Sequence, residues 1–232
     1  MIARMSSHPQ APMLWQQFCE RFTIAEQAVP LFETDGAGRA VLKTIGRGET
    51  RRQVLARSPV MEHLVRTEVS RLVADWEAGA RQLDGLIYMM GHRRSGAFEP
   101  LYIGKTETLG KGNGNLSANI QNLQRDSSKF ARWGDNYAYH IGDLSACVVP
   151  GHPTAKQTIK YQSWANALFG EAPSAQPVLR EPVYFWAKAW NREETGIWSE
   201  LGPTRLAFLE YLLIGVAGLA FPGLLNREGL AR

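Results

Sequence analysis

Sustained three- and four-residue spacing of apolar positions begins after Ser58-Pro59. Met61, Leu64, Val65, Val69, Leu72, Val73 and Trp76 line one side of a helix predicted over residues 59–82. Serine as N-cap and proline in the first turn deal with the amide donors that open a helix, and Asp84-Gly85 ends it. Two short apolar runs follow, 86-LIYMM-90 and 101-LYIGK-105, separated by GHRRSGAFEP. They predict an antiparallel hairpin with that polar segment as its loop. Leu116, Ile120 and Leu123 predict a helix over 116–125. The run 137-YAYHIGDLSACVV-149 reads as a third strand, 154–170 as a helix, 182-PVYFWAKAW-190 as an aromatic-rich strand, and Thr204 to Ala220 as a last helix closed by Pro222.

From residue 85 the order is therefore strand, strand, helix, strand, helix, strand, helix. That order predicts an α+β fold, a small mixed, mainly antiparallel β-sheet flanked by helices. Residues before it are less regular: an amphipathic stretch over 14–22, then a glycine- and charge-rich tract over 35–57. The expected division is an N-terminal, mainly helical extension over 1–83, packed outside the sheet, and a second domain over 84–232.

With 44% apolar residues the chain can bury a substantial core. Lysine and arginine outnumber aspartate and glutamate, 26 to 22, which leans toward a polyanionic partner. Cys19 and Cys147 lie far apart with no CxxC spacing, so no disulfide framework or thiolate zinc site is encoded, and a reducing cytoplasm is the expected setting. The first residues contain no continuous apolar core of a secretory signal. The most apolar run, 206–221, is shorter than the roughly 20 residues of a bilayer span and contains Glu210, so it reads as a buried helix and no membrane partner is expected.

Gly104-Lys105-Thr106 imitates the end of a phosphate-binding loop, but position 99, where that loop needs glycine, is Glu99. His92, His140 and His152 lack ligand spacing, and none is assigned to a metal. Glu210 is more informative. Helical spacing surrounds it with Leu206, Leu213, Ile214 and Ala217, and a carboxylate on so apolar a surface needs a cation or donor to offset its desolvation. A metal ion and an internal salt bridge are the two compensators.

Tyr88 and Tyr102 sit near the ends of the two hairpin runs, 85-GLIYMM-90 and 100-PLYIGKTETLG-110. Leu86-Ile87-Tyr88, a gap, then Tyr102-Ile103-Gly104 followed by Lys105 resembles the GIY-YIG nuclease family, with leucine at the usual glycine of the first motif. Glu210 on a late apolar helix and Asn226 in 222-PGLLN-226 match the family's glutamate and asparagine. The resemblance covers residues 85 to 228. It departs from the pattern at the arginine, because 115-NLSANI-120 contains none; Arg132, flanked by Phe130 and Trp133, and Arg125 are the candidates, in that order.

The resemblance implies a GIY-YIG-like fold and metal-dependent hydrolysis of phosphodiester bonds in DNA, or RNA. Tyr88 would serve as or relay to the general base, and Tyr102 would orient water or phosphate. Lys105 would lower a phenol's pKa, since a phenol near 10 is a poor base unaided. Glu210 would hold one divalent ion, Mg²⁺ or Mn²⁺, in oxygen coordination. Arg132 or Arg125 would brace the scissile phosphate, Asn226 would position the glutamate or substrate, and His140 would line the cleft. Lys111 in the glycine loop 110–115 and the basic loop 92-HRR-94 would contact flanking phosphates. No reader module or protein partner is evident. The rival readings are a nucleic-acid-binding module that kept the fold without the chemistry, and a helical interaction domain in which both tyrosines only pack.

Overall fold

The computed structural model describes residues 10–110 and 114–229. Lys111 lies outside the described residues. The chain opens with α1 (Gln10–Arg21), α2 (Ile24–Gln27), β1 (Val29–Pro30), β2 (Leu42–Ile45), β3 (Arg52–Leu55) and α3 (Pro59–Glu77). Ser58 caps α3 by accepting from the Met61 amide, as the sequence predicts. Then come β4 (Leu83–Arg94), β5 (Ala97–Glu107), α4 (Ala118–Gln121), α5 (His140–Val148), α6 (Ile159–Leu168), β6 (Tyr184–Asn191) and α7 (Leu206–Ala220).

The fold is α+β. Its main sheet has the order β1-β6-β4-β5 with every pairing antiparallel, and β2-β3 form a separate hairpin. Strand alternation sends Leu86, Tyr88 and Met90 toward α3, α5 and α6, while Ile87 and Met89 meet α1 and α7 on the opposite face. Two cores result, one on each side of the sheet. Residues 10–83 share both: β1 extends the sheet beyond β6, α3 covers one face and α1 packs on α7. They are not packed outside it. Among the described residues no helix is long and apolar enough to cross a membrane.

Three sequence expectations change. The segment 91–100 is strand rather than loop, and only Ser95-Gly96 turn, both at positive φ, as a two-residue hairpin turn requires. Gly91 and Pro100 read as breakers because they sit at a register shift after Met90. Residues 140–148 form helix α5, not a third strand. All of them except Asp143 are buried, so neither a two-residue nor a 3.6-residue period stands out in the sequence. The helix expected over 116–125 shrinks to the single turn α4, capped by Ser117.

Candidate functional site

Tyr88 pairs with Gly104 and Tyr102 with Met90, so both rings lie on the same face of the hairpin, their centroids 6.5 Å apart. Tyr88 is buried and lies across the neighbouring strand over Gly104, whose missing side chain leaves room for the ring. Its hydroxyl meets His140 Nε2 at 3.2 Å, and His140 Nδ1 meets the Tyr161 hydroxyl at 2.8 Å. Helix α5 supplies His140 from its first residue, and α6 supplies Tyr161. Burial, with Lys160 and Arg132 nearby, drives the His140 pKa well below the usual imidazole range. A neutral imidazole has one donor and one acceptor nitrogen, so one of these phenols donates to it and the other accepts.

Tyr102 is on the outward side of this chain. Its hydroxyl accepts from Lys160 Nζ at 3.3 Å, and the same ammonium lies 4.6 Å from the Tyr102 ring and 5.2 Å from those of Tyr161 and Trp164. Lys160 is half-buried and, among the described residues, makes no ion pair within 4.0 Å. Burial, then Arg132, lowers it to about 8, whereas burial and Glu210 push Tyr102 up to about 12. Burial holds Tyr88 well above the ordinary phenol range too.

A cavity of about 250 Å³ opens at the edge strand β5, lined by Tyr102, Lys160, Glu210, Tyr211, Asn226 and Glu228 among others. Tyr102 and Lys160 reach it from one face of the sheet. Glu210 comes from α7 on the other. Its carboxyl is raised by burial against the pull of Lys105, whose ammonium is 4.0 Å away and is held more closely by Glu107 at 2.7 Å. Lys105 pairs with Ile87, so its side chain projects on the α7 face. The cations that lower the phenols are Arg132 for both rings, not Lys105. Among the described residues no three His, Cys, Asp or Glu side chains gather to hold a metal. Glu210, with Glu228 on the same cavity, offers the one- or two-carboxylate set that suits a magnesium ion keeping most of its waters.

Asn226 is buried, and its amide grips one residue of β5: it accepts from the Ile103 amide at 3.0 Å and donates to the Ile103 carbonyl at 2.8 Å. It satisfies the open edge of β5 and holds the C-terminal segment beside the cavity.

Arg132 lies near the tyrosines without lining the cavity, and Arg125 lies elsewhere. Arg132 acts electrostatically on Tyr88, Tyr102, His140 and Lys160. It is carried on a short turn in which Ala131 and Arg132 both have positive φ, 47° and 73°, pinned where Thr106 donates to the Ala131 carbonyl at 3.1 Å. Such backbone is costly without glycine and persists where the surroundings over-determine it. The flanking aromatics do not hold the guanidinium. Phe130 instead carries Arg57 at 4.2 Å, Trp133 packs on Tyr88 and His140, and Arg132 lies 5.4 Å from the Tyr139 ring. Arg125 is exposed beside α3, in a different hollow. Of the loop 92–94, His92 bonds the Pro182 carbonyl and Arg94 is committed to Glu99 and Glu181.

Lys160 and Tyr161 escaped the sequence reading. The sequence predicts a helix there, and the one available signal is a lysine beside the apolar stripe of Tyr161, Trp164 and Leu168. A larger hollow of about 420 Å³ near α1 is lined by Trp15, Cys19 and Phe98, but burial raises the Cys19 thiol to about 12 and leaves it inert. No family model, curated protein or solved structure matches this chain.

Proposed function

We propose that the protein is a metal-dependent endonuclease that hydrolyses phosphodiester bonds in DNA. The observation that carries this reading is the meeting of Tyr102, Lys160 and Glu210 at one cavity, with the Tyr88–His140–Tyr161 chain behind it. Hydrolysis needs a base for water, positive charge for the phosphoryl oxygens and a dry, fixed frame. Lys160 suits the first task better than either phenol. An amine near 8 is partly neutral at working pH, whereas a phenol at about 12 is not ionised.

The neutral Lys160 amine takes a proton from water, directly or through the Tyr102 hydroxyl. The water oxygen bonds to phosphorus, the bond to the leaving sugar oxygen breaks, and that oxygen takes a proton from solvent. Arg132 donates to the non-bridging oxygens through its forked guanidinium. Tyr88, anchored by His140, holds Tyr102 and the strand beneath it in place. Glu210 would hold a divalent ion, which supplies charge neutralisation at the phosphate.

The test is incubation of supercoiled, linear and single-stranded DNA with the protein, with and without Mg²⁺ or Mn²⁺. Ion-dependent nicking is the expected result, and no cleavage of any substrate in either ion would overturn the reading. The alternative is a catalytically inactive nucleic-acid-binding module. It is favoured by the engagement of the Tyr88 hydroxyl and the Asn226 amide in internal bonds, and DNA binding without cleavage would establish it.

A further inference from the structure

A second concentration of charge lies away from the cavity. Residues 35–57 carry six basic side chains, Arg39, Lys43, Arg47, Arg51, Arg52 and Arg57, against Asp35 and Glu49. Internal partners account for three of them: Arg39 pairs with Asp35, Lys43 with Asp135, and buried Arg57 with Glu62. Arg47 and Arg51 are exposed around the turn of the β2–β3 hairpin, and neither makes an ion pair among the described residues. Thr50 fixes that turn through the Arg47 amide and carbonyl.

Arg52 ties the hairpin to the segment just before α5. It donates to Asn136 Oδ1 at 2.8 Å and lies 4.5 Å from the centre of the Tyr137 ring, which Lys156 also approaches at 5.1 Å. Lys156 in turn belongs to the same neighbourhood as Lys160 and Arg132, since all three act electrostatically on Asp143. Arg52 and Lys156 thus meet at the Tyr137 ring, and Lys156, Lys160 and Arg132 share the neighbourhood of the Asp143 carboxylate.

We infer that the β2–β3 hairpin, with Arg52 and Lys156, is a backbone-binding track that grips duplex DNA flanking the cavity. This rests on the reading of the cavity as a phosphodiester site. The ring of Tyr137 is occupied by two cations and its hydroxyl by His152, so the track offers charge without an open aromatic platform for unpaired bases. Charge alone suits the regularly spaced phosphates of a duplex and positions the strand without reading its sequence.

The experiment compares the protein with the double variant Arg47→Glu/Arg51→Glu, measuring duplex binding by fluorescence anisotropy over a salt series and hydrolysis of bis(p-nitrophenyl) phosphate. Losing two phosphate contacts should make the slope of log affinity against log salt shallower by about 2 and weaken binding at least about tenfold, with hydrolysis of the small diester unchanged. Unchanged affinity and slope would overturn the track, even where the small diester and DNA are still cleaved. The absence of measurable duplex binding by the unaltered protein at low salt would also overturn it. Charge-sensitive duplex binding by a protein that cleaves nothing would uphold the track and overturn the nuclease reading. Tighter binding of a single strand than of the duplex would overturn the duplex assignment.

Discussion

Tyr88 lies so close over Gly104 that a Cβ at that position would come within 2.7 Å of the ring's Cε2 and 2.9 Å of its hydroxyl oxygen. The two residues are directly paired across β4 and β5. The glycine after Tyr102-Ile103 therefore serves the first tyrosine, not the second. Removing its side chain lets a large phenol lie flat across the edge strand and reach His140.

Gly104→Ala should lift the Tyr88 ring, break its contact with His140 and disturb Tyr102 beside it. Overpacking of this kind costs about 1–3 kcal/mol, so the midpoint of thermal unfolding should fall. Cleavage should fall more than the loss of folded protein explains, at least about tenfold, if the frame around Tyr102 is what the reaction uses. Thermal melts and single-turnover cleavage on the same preparation check both parts.

Tyr88→Phe separates the ring from its hydroxyl. Packing survives, but His140 Nε2 loses its partner in a buried setting, which costs about 1–3 kcal/mol. Stability should drop by that order, and turnover should fall as Tyr102 and His140 shift. Full activity in a folded Tyr88→Phe protein would show that the buried chain contributes nothing to the site.

The hairpin tyrosines, α3, α7 and its glutamate were legible because each stands out against its own local period. Glu210 interrupts an apolar helix, and the tyrosines lie within two β-prone runs. Lys160 was not legible, since its effect depends on Tyr102, Trp164 and Arg132, which only the fold brings together. Helix α5 was misread because burial on nearly every side erases the pattern that marks a helix. The role given to Lys105 failed on parity: one residue beyond Gly104, it faces the opposite side of the sheet from both phenols.

Lys160→Arg keeps the positive charge but cannot deprotonate near neutrality. If Lys160 is the base, the unaltered protein should gain activity as pH rises through about 8, and the variant should lose turnover by about 10² or more across the whole range. A stability readout is independent of activity. The folded-state pKa lies below the usual lysine value of 10.5, so the charged form costs stability below about 8 and that cost is relieved as pH rises toward 10.5. Lys160→Met should therefore raise the melting temperature near neutral pH, and its advantage should shrink across that window. A variant with unaltered cleavage, or a constant difference in melting temperature, would remove Lys160 from this role.

His140 gives the opposite limb. Its folded-state pKa lies well below the usual 6.5, so an unfolded chain binds a proton that the folded protein refuses. Stability from this group is complete above about 6.5 and is lost as pH falls below it. Chemical denaturation at stepped pH should show stability declining below that point, and His140→Gln, which still offers a donor and an acceptor, should flatten the decline.

Glu210→Gln decides between the two compensators of the buried carboxylate. Among the described residues its only cation within 4.0 Å, Lys105, is at the limit of an ion pair and is already engaged by Glu107. Burial raises the Glu210 carboxyl above its ordinary 4.5, so its contribution is most favourable when protonated and is lost as pH rises through the raised value. At neutral pH the glutamine variant should thus melt at the same or a higher temperature, with no such gain below about 4.5. A structural salt bridge would give the reverse, a clear loss near neutrality. Cleavage in Mg²⁺ should be abolished, while duplex affinity measured without the ion should stay the same or rise slightly, since one negative charge has left the cavity. Because the neutral isostere keeps the shape of the site, a folded Glu210→Gln protein that still cleaves at the original rate would show that Glu210 holds no catalytic ion.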